Sequence, residues 1–292
     1  MPSDVSATSK RASARLSVLA SGSGGNSSLV EFRAPGIRRV VLIDMGLSPR
    51  RTKQALHEHG LKFEEITDVI ITHFDQDHWR RTWSAKPWIG PTLRLHRRHV
   101  RRAERAGALN RRSEPFGDAF ELAPGFEVRV VLNTHDDLGS AAFRFDFGGL
   151  SLGYATDLGH TTDPLIELMH GVDALAIESN YCPRLQAASP RPEYLKRRIM
   201  GGRGHLSNEQ CRDAINAIQP RRHVVLLHLS RQCNTPELAS SYHAGAPYQL
   251  TLSNQHVATG WIALGEAAPP VAPVPESVLF ARSAAGEWEV AV

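Results

Sequence analysis

The sequence predicts an α/β (α+β) fold, in which many short strands are interspersed with a few helices. Apolar runs of strand length recur at 16–20, 28–32, 39–44, 66–71, 127–132, 141–147, 150–155, 173–177 and 223–227, each too short for a helix. Helix start signals stand between some of them. Several of the runs also end in a His or an acid, which is unusual for a strand that merely turns at a surface.

The elements follow in order. The first two runs flank Ser21-Gly22-Ser23-Gly24-Gly25-Asn26-Ser27, where Gly permits the positive φ of a tight turn. This loop has the composition of a phosphate cradle. A dinucleotide fingerprint or P-loop, however, leads into a helix, whereas here a second strand follows, so no nucleotide cofactor is expected. Asn26 and Ser27 remain candidate substrate-binding residues. After the strand at 39–44, Ser48 and Pro49 open a helix that Gly60 stops. His57 and His59, two positions apart near its end, read as surface residues. The runs at 141–147 and 150–155 form a hairpin across Gly148-Gly149. Ser207-Asn208-Glu209-Gln210 is a capping box that starts a helix, which Pro220 ends. No repeat of 20–50 residues is visible.

Composition narrows the class of protein. A chain of 292 residues that is 41% hydrophobic can bury a substantial core. No stretch reaches the roughly 20 apolar residues of a membrane span. The basic, Ser-rich start (Ser9-Lys10-Arg11-Ala12-Ser13) lacks the apolar core of a signal peptide, so residues 1–14 are expected to be a disordered tail and 15–265 the folded domain. Residues 266–292 begin with a Pro-rich linker and end in a hairpin or a loose tail. Three scattered cysteines, Cys182, Cys211 and Cys233, argue against disulfides and point to the cytoplasm.

The net charge of +4 says little, but its distribution says more. Between 94 and 112 lie eight arginines. The spacing of Arg94, Arg98, Arg101 and Arg105 suits one helical face, either a solvated rim or a surface for phosphates. No aromatic residue interleaves, so base stacking is not signalled.

Chemistry concentrates at Thr72-His73-Phe74-Asp75-Gln76-Asp77-His78, directly after the run at 66–71. Four donors in six residues suit Zn, Mn or Fe. His135, Asp157 and His228 each follow another apolar strand. Seven potential ligands at successive strand ends suit a site for two metal ions.

This ordered series, SGSGGNSS, LIDMG, THFDQDH, the strand ending at His135, YATDLG, ESN, YLKRRI, GRGHLSN and LLHLS, resembles the metallo-β-lactamase superfamily, and within it the YycJ/WalJ-type hydrolases, a group associated with nuclease activity. The resemblance spans residues 16 to about 240. It implies a four-layer αβ/βα sandwich with the site at one edge of two sheets. It implies that His73, Asp75 and His135 hold one divalent ion, that Asp77, His78 and His228 hold a second, and that Asp157 bridges them. The implied activity is metal-dependent hydrolysis of a phosphodiester in nucleic acid, exonuclease-like, by a metal-bridging hydroxide that Asp77 orients. His205, before the capped helix, would give the leaving oxygen its proton. Asn180 and Arg203 would contact substrate, with Lys196, Arg197 and Arg198 adding charge to the same rim. A lactonase- or thioesterase-type hydrolase and a non-catalytic metal-binding module are the alternatives, and oligomeric state stays open.

Three positions depart from the family pattern. Asp75 stands where His is usual, which favours harder metals such as Mn or Fe. Tyr181 and Cys233 stand where His and Asn are usual, which bears on substrate contacts.

Overall fold

Strands that are apolar at consecutive positions, as at 40–43 and 224–227, build two sheets that are each covered on both faces. The computed structural model describes residues 12–84, 90–265, 279–282 and 288–291. In the first sheet, β1 (Ser13–Ala20), β2 (Ser27–Ala34) and β3 (Ile37–Ile43) form an antiparallel meander, and β4 (Asp68–Ile71), β5 (Thr92–His96) and β6 (Ser113–Phe116) follow in parallel. The second sheet repeats this plan. Here β7 (Ala119–Ala123), β8 (Phe126–Asn133), β9 (Ser140–Phe147) and β10 (Leu150–Ala155) meander, and β11 (Ala174–Glu178), β12 (His223–Leu227) and β13 (Gln249–Leu252) run parallel. A short β14 (Ile262–Ala263) closes the free edge of β1. The duplication lies in topology alone, which is why no sequence repeat shows it.

Residue parity assigns the layers. On β3, Val41 and Ile43 face the core between the sheets, while Val40 and Leu42 face the outer helices. On β12, Val225 and Leu227 point inward and Val224 and Leu226 outward. The outer face of the first sheet is covered by α1 (Pro49–Glu58) and α2 (Val100–Arg105). That of the second is covered by α3 (Asp163–Met169) and, beyond α4 (Pro183–Ala188) and α5 (Glu193–Met200), by α6 (Asn208–Ile218). The result is the four-layer αβ/βα sandwich. A last helix, α7 (Pro236–Ser241), precedes β13.

The local signals act as expected. Ser48 caps α1 by accepting the Arg51 N–H, and Ser207 and Gln210 form the capping box of α6. Gly148 and Gly149 turn the β9–β10 hairpin with φ of 57° and 84°. All three cysteines are buried and free.

Some expectations need correction. His57 is exposed, but His59 is half-buried, with Nδ1 donating to the Ala55 carbonyl at 2.7 Å and Nε2 2.8 Å from Ser17 Oγ. The arginine-rich segment is not one helix. Arg94 belongs to β5, Arg98 to a tight turn, and Arg101 to α2, so the four-guanidinium face does not form. The helical spacing was misleading because the apolar Leu93 and Leu95 alternate with Arg94, a strand signal. β1 starts at Ser13, two residues before the expected boundary, and residues 1–11 lie outside the described residues. So does the Pro-rich linker, whereas β15 (Leu279–Arg282) and β16 (Trp288–Ala291) pair antiparallel as a terminal hairpin. No helix among the described residues is long and apolar enough to cross a membrane.

Glu31 on β2 has a buried carboxylate, 1% exposed, that receives guanidiniums from Arg15 at 2.8 Å, Arg33 at 2.6 Å and Arg38 at 2.8 Å. Burial pushes its pKa up, but the bonds from Arg33, Arg38 and Arg15 outweigh burial and hold it below the usual glutamate value. A pKa depressed on folding adds stability that is present above the unfolded value and lost as pH falls through the folded one. Glu31→Gln should therefore cost about 1–2 kcal/mol near pH 7, the guanidiniums being part-exposed and screened. The deficit should shrink toward pH 3, measured by urea unfolding of both proteins across pH 3–8.

Candidate metal centre

The strand ends that the sheets bring together carry the chemistry. His73 and His78 follow β4, His135 follows β8, Asp157 follows β10 and His228 follows β12. These strands run the same way, so their C-terminal ends share one edge of the sandwich. There His73, His135 and Asp157 form one group with donor atoms within 4.8 Å of one another, and Asp77, His78 and His228 form another. Asp157 and His228 also group with His205, and Asp75 and His135 with Asp136.

Asp157 is the meeting point. Its Oδ2 lies 3.4 Å from His73 Nε2 and in contact with His78 Nε2, and its Oδ1 lies 2.9 Å from His228 Nδ1. Asp77 Oδ2 lies 3.7 Å from His78 Nε2 and 3.9 Å from His228 Nε2. Asp75 Oδ2 is 3.9 Å from His73 Nε2 and 4.0 Å from His135 Nε2. The His and Asp157 side chains are buried, while Asp75 and Asp77 are 23% and 24% exposed and open onto a cleft of about 170 Å³.

A second tier of polar groups aims these donors. Asp44, at the end of β3, accepts from His78 Nδ1 at 2.7 Å and from the Thr72 N–H at 2.8 Å. His135 Nδ1 donates to the Gly204 carbonyl at 2.9 Å, which leaves Nε2 to face the cluster. The Asn26 amide nitrogen lies 2.9 Å from His78 Nε2 and 3.3 Å from Asp77 Oδ2. Asn180 Nδ2 donates to the His228 carbonyl at 2.7 Å, and Ser27 Oγ to the Asp44 carbonyl at 3.0 Å. Gly46 lets the loops close in, since a Cβ there would collide with the Asp77 carbonyl and the Asn26 nitrogen. Asp44, Asp136, Asp157 and His228 are four of the five non-glycine residues with positive φ among the described residues. Such conformations cost on the order of 1 kcal/mol or more and persist where the surroundings over-determine them.

The charges are strongly coupled. Burial alone raises the Asp157 pKa, but His228, His78 and His205 hold it well below the usual carboxylate range. Burial and the neighbouring His78 push His73 well down. Burial opposes protonation of His78 too, yet Asp157, Asp44 and Asp77 raise it well above the usual value. His205 behaves likewise. Against burial, Glu178 and Asp157 push it up to about 10, with Nδ1 donating to Glu178 Oε1 at 2.6 Å.

The donor set fits divalent metal. His73 Nε2, Asp157 Oδ1 and His228 Nδ1 are buried and make no well-aligned hydrogen bond among the described residues, although the last two lie 2.9 Å apart. A buried polar atom left unsatisfied costs about 1–3 kcal/mol. Three such atoms converge in one cluster, and all belong to expected ligands.

The seven expected ligands and His205 thus come together. The expected substrate residues divide. Asn26, Ser27 and Asn180 are buried and hold the ligands or their backbone in place. Arg94 bonds Asp68 at 2.7 Å and Glu114 at 2.8 Å and does not line the cleft. Arg98, Arg101 and Arg203 are exposed. Tyr181 and Cys233 are packed in a small core with Leu185 and Leu238 and are not among the residues that line the cleft.

Sequence reasoning missed Asp44, Glu178 and Arg102, and placed Arg198 only among several rim charges. The first two end strands β3 and β11 just as the ligands do, which was the available signal. Arg102 Nη2 pairs with Asp75 Oδ1 at 2.7 Å, and Arg198 lines the cleft and pairs with Asp136 at 2.7 Å. No local signal singled these two out from neighbouring arginines.

Residues 39–229 match the family described as a beta-lactamase superfamily domain, and the chain belongs to that family. It is 28% identical over 232 residues to the exodeoxyribonuclease WalJ of Streptococcus pneumoniae (strain D39), covering 77% of this chain and 85% of that protein. It is 26% identical over 242 residues to the exodeoxyribonuclease YycJ of Bacillus anthracis, covering 76% and 85%. Among solved structures, a diphosphatase of the PhnP family superposes with a TM-score of 0.59 at 20% identity, covering 86% of this chain and 98% of that one. The metallo-beta-lactamase fold protein YhfI of Bacillus subtilis superposes with a TM-score of 0.62 at 14% identity, covering 85% and 99%.

Asp44→Asn keeps the shape of the side chain but removes the charge that orients His78. It should weaken metal binding about 10–100-fold while the fold is retained, measured by chelator competition alongside circular dichroism.

Proposed function

We propose that this chain is a metal-dependent phosphodiesterase acting on nucleic acid, exonuclease-like, with two divalent cations held at the sheet edge. The observation that carries the reading is the cluster of four histidines around the buried Asp157, with Asp75 and Asp77 beside them at the cleft. The names of the relatives at 26–28% identity support nucleic acid as the substrate. The cleft, about 170 Å³, is smaller than the roughly 300–1,000 Å³ that enclose a small ligand. That favours entry of one phosphoryl group from a larger molecule.

His73, Asp75 and His135 would hold one cation, Asp77, His78 and His228 the other, and Asp157 both. Imidazole and carboxylate donors suit Zn, Mn or Fe. Bound divalent cations lower the pKa of water to about 7 and neutralise charge on a phosphoryl oxygen. The protein supplies the rest. Asp77, part-exposed in the cleft wall, orients the attacking water and accepts its hydrogen bond. His205 lines the cleft with Nδ1 tied to Glu178, so its other nitrogen is the one that can protonate a leaving oxygen. Arg198 in the same wall meets the phosphate, and exposed Arg98, Arg101 and Arg203 track the backbone without reading bases.

The test incubates metal-loaded protein with labelled single- and double-stranded DNA, RNA and bis-p-nitrophenyl phosphate. Metal-dependent cleavage of a nucleic acid is expected, absent in Asp157→Ala. His205→Ala should slow turnover about 10²–10⁴-fold with little change in metal content. Cleavage of none of the polymers, with turnover of lactones or thioesters, would overturn the reading.

Asp75 makes a third expectation. Its carboxylate favours harder ions, so protein purified without added metal should contain Mn or Fe beside Zn by elemental analysis. Two tightly held zincs per chain would count against this role for Asp75.

A further inference from the structure

We infer that a second basin beside the metal centre is a phosphate subsite. The inference rests on the nuclease reading and deepens it, because the basin would hold a phosphate of the same strand next to the one being cleaved. The basin measures about 310 Å³ and is lined by Ser23, Arg191, Ser230, Arg231 and Gln232. Two guanidiniums, two hydroxyls and an amide face it, and no acid among the described residues does.

Arg191 is the centre of the argument. It is half-buried and fixed at three points, by Gln232 Oε1 at 3.0 Å, Gln186 Oε1 at 2.9 Å and Ser230 Oγ at 3.3 Å. All three partners are neutral. Arg38, Arg94, Arg102 and Arg198 are paired with carboxylates, whereas Arg51 and Arg112, like Arg191, bond neutral oxygens. No carboxylate among the described residues pairs with Arg191, and none pairs with the exposed Arg231 beside it. A guanidinium carries five N–H donors, so about two remain after these three bonds, enough for the forked contact that phosphate accepts. A cation held rigid without a counter-charge is pre-organised for an anion.

Position supplies the second observation. The His228 N–H donates to Ser21 Oγ at 2.8 Å, which joins the Gly-rich loop to the end of β12 at the metal centre. Ser23 lies two residues beyond Ser21, and Ser230 two beyond His228. Two residues span at most about 7 Å, on the order of one nucleotide step along a strand. Both arms are held. The Ser230 N–H donates to the Asn180 carbonyl at 2.8 Å. Gln255 clamps the Gly-rich loop through the Gly24 N–H at 2.6 Å and the Gly25 carbonyl at 2.9 Å.

The test uses the metal-loaded full chain as wild type, Arg231→Ala, Arg191→Ala and Arg191→Lys. The last keeps the charge without the fork, and the exposed Arg231 has no side-chain partner among the described residues whose loss would unfold the chain. KM is measured for a 5′-phosphorylated oligonucleotide, its 5′-hydroxyl counterpart and bis-p-nitrophenyl phosphate, which has a single phosphate. Direct binding of the oligonucleotides is followed by fluorescence anisotropy. The expected result is that the ratio of oligonucleotide KM to diester KM rises about tenfold in each alanine variant, with a matching loss of binding. A larger rise for the 5′-phosphorylated strand assigns the basin to the terminal phosphate, and equal rises assign it to an internal one. Wild-type cleavage with an unchanged ratio in the variants would overturn the subsite alone. Neither cleavage nor binding of any oligonucleotide by wild type would overturn the nuclease reading and the subsite with it.

Discussion

The structure depends on one buried carboxylate. Asp157 sits 1% exposed at the sheet edge, with His73, His78 and His228 turned onto it and His205 3.4 Å away. A charge so placed is costly unless matched. The matching groups arrive from β4 and β12 and from the loop before α6, so the two sheets must meet in one register for the site to exist. The strained backbone at Asp44, Asp136, Asp157 and His228 reflects the same constraint. Local conformational preference gives way where packing and electrostatics together demand a particular direction.

The duplicated topology explains how one short edge collects so many donors. Each sheet passes from an antiparallel meander to parallel strands, and parallel strands present their C-terminal ends together. Residues at those ends emerge side by side even when far apart in sequence. Asp44 follows β3 and Glu178 ends β11, and each bonds a histidine of the cluster. The rule that an apolar strand ends in a functional residue therefore extends beyond the ligands to the groups that aim them.

Charge near the site is differentiated. Arg94 is occupied by Asp68 and Glu114, Arg102 by Asp75 and Arg198 by Asp136. Arg102 offsets one of the three carboxylates that face the metal cluster, which tempers the site's negative charge toward an anionic substrate. Among the described residues no carboxylate pairs with Arg191 or Arg231. Counting arginines along the chain does not separate these roles, because each is set by what lies within about 4 Å in the fold.

Much of the architecture was legible in the chain itself. Apolar runs of strand length marked most of the longer strands, Ser48 and Ser207 marked helix starts, and Gly148-Gly149 marked a hairpin. The seven proposed ligands were legible because they stand at or just beyond the ends of apolar runs, where packing offers no reason for a His or Asp. Strands β5, β6, β7, β13 and β14 were not legible, being short or interrupted by charged residues whose partners are distant in sequence. The helical reading of Arg94 failed for that reason, since Asp68 and Glu114 share its sheet but not its neighbourhood in the chain. The places of Asn26 and Asn180 as supports of the ligands, and of Arg191 as an unmatched cation, were likewise decided only by tertiary structure. Sequence periodicity determines which face a residue takes, but hydrogen-bond and charge partners are fixed only when separate segments fold together.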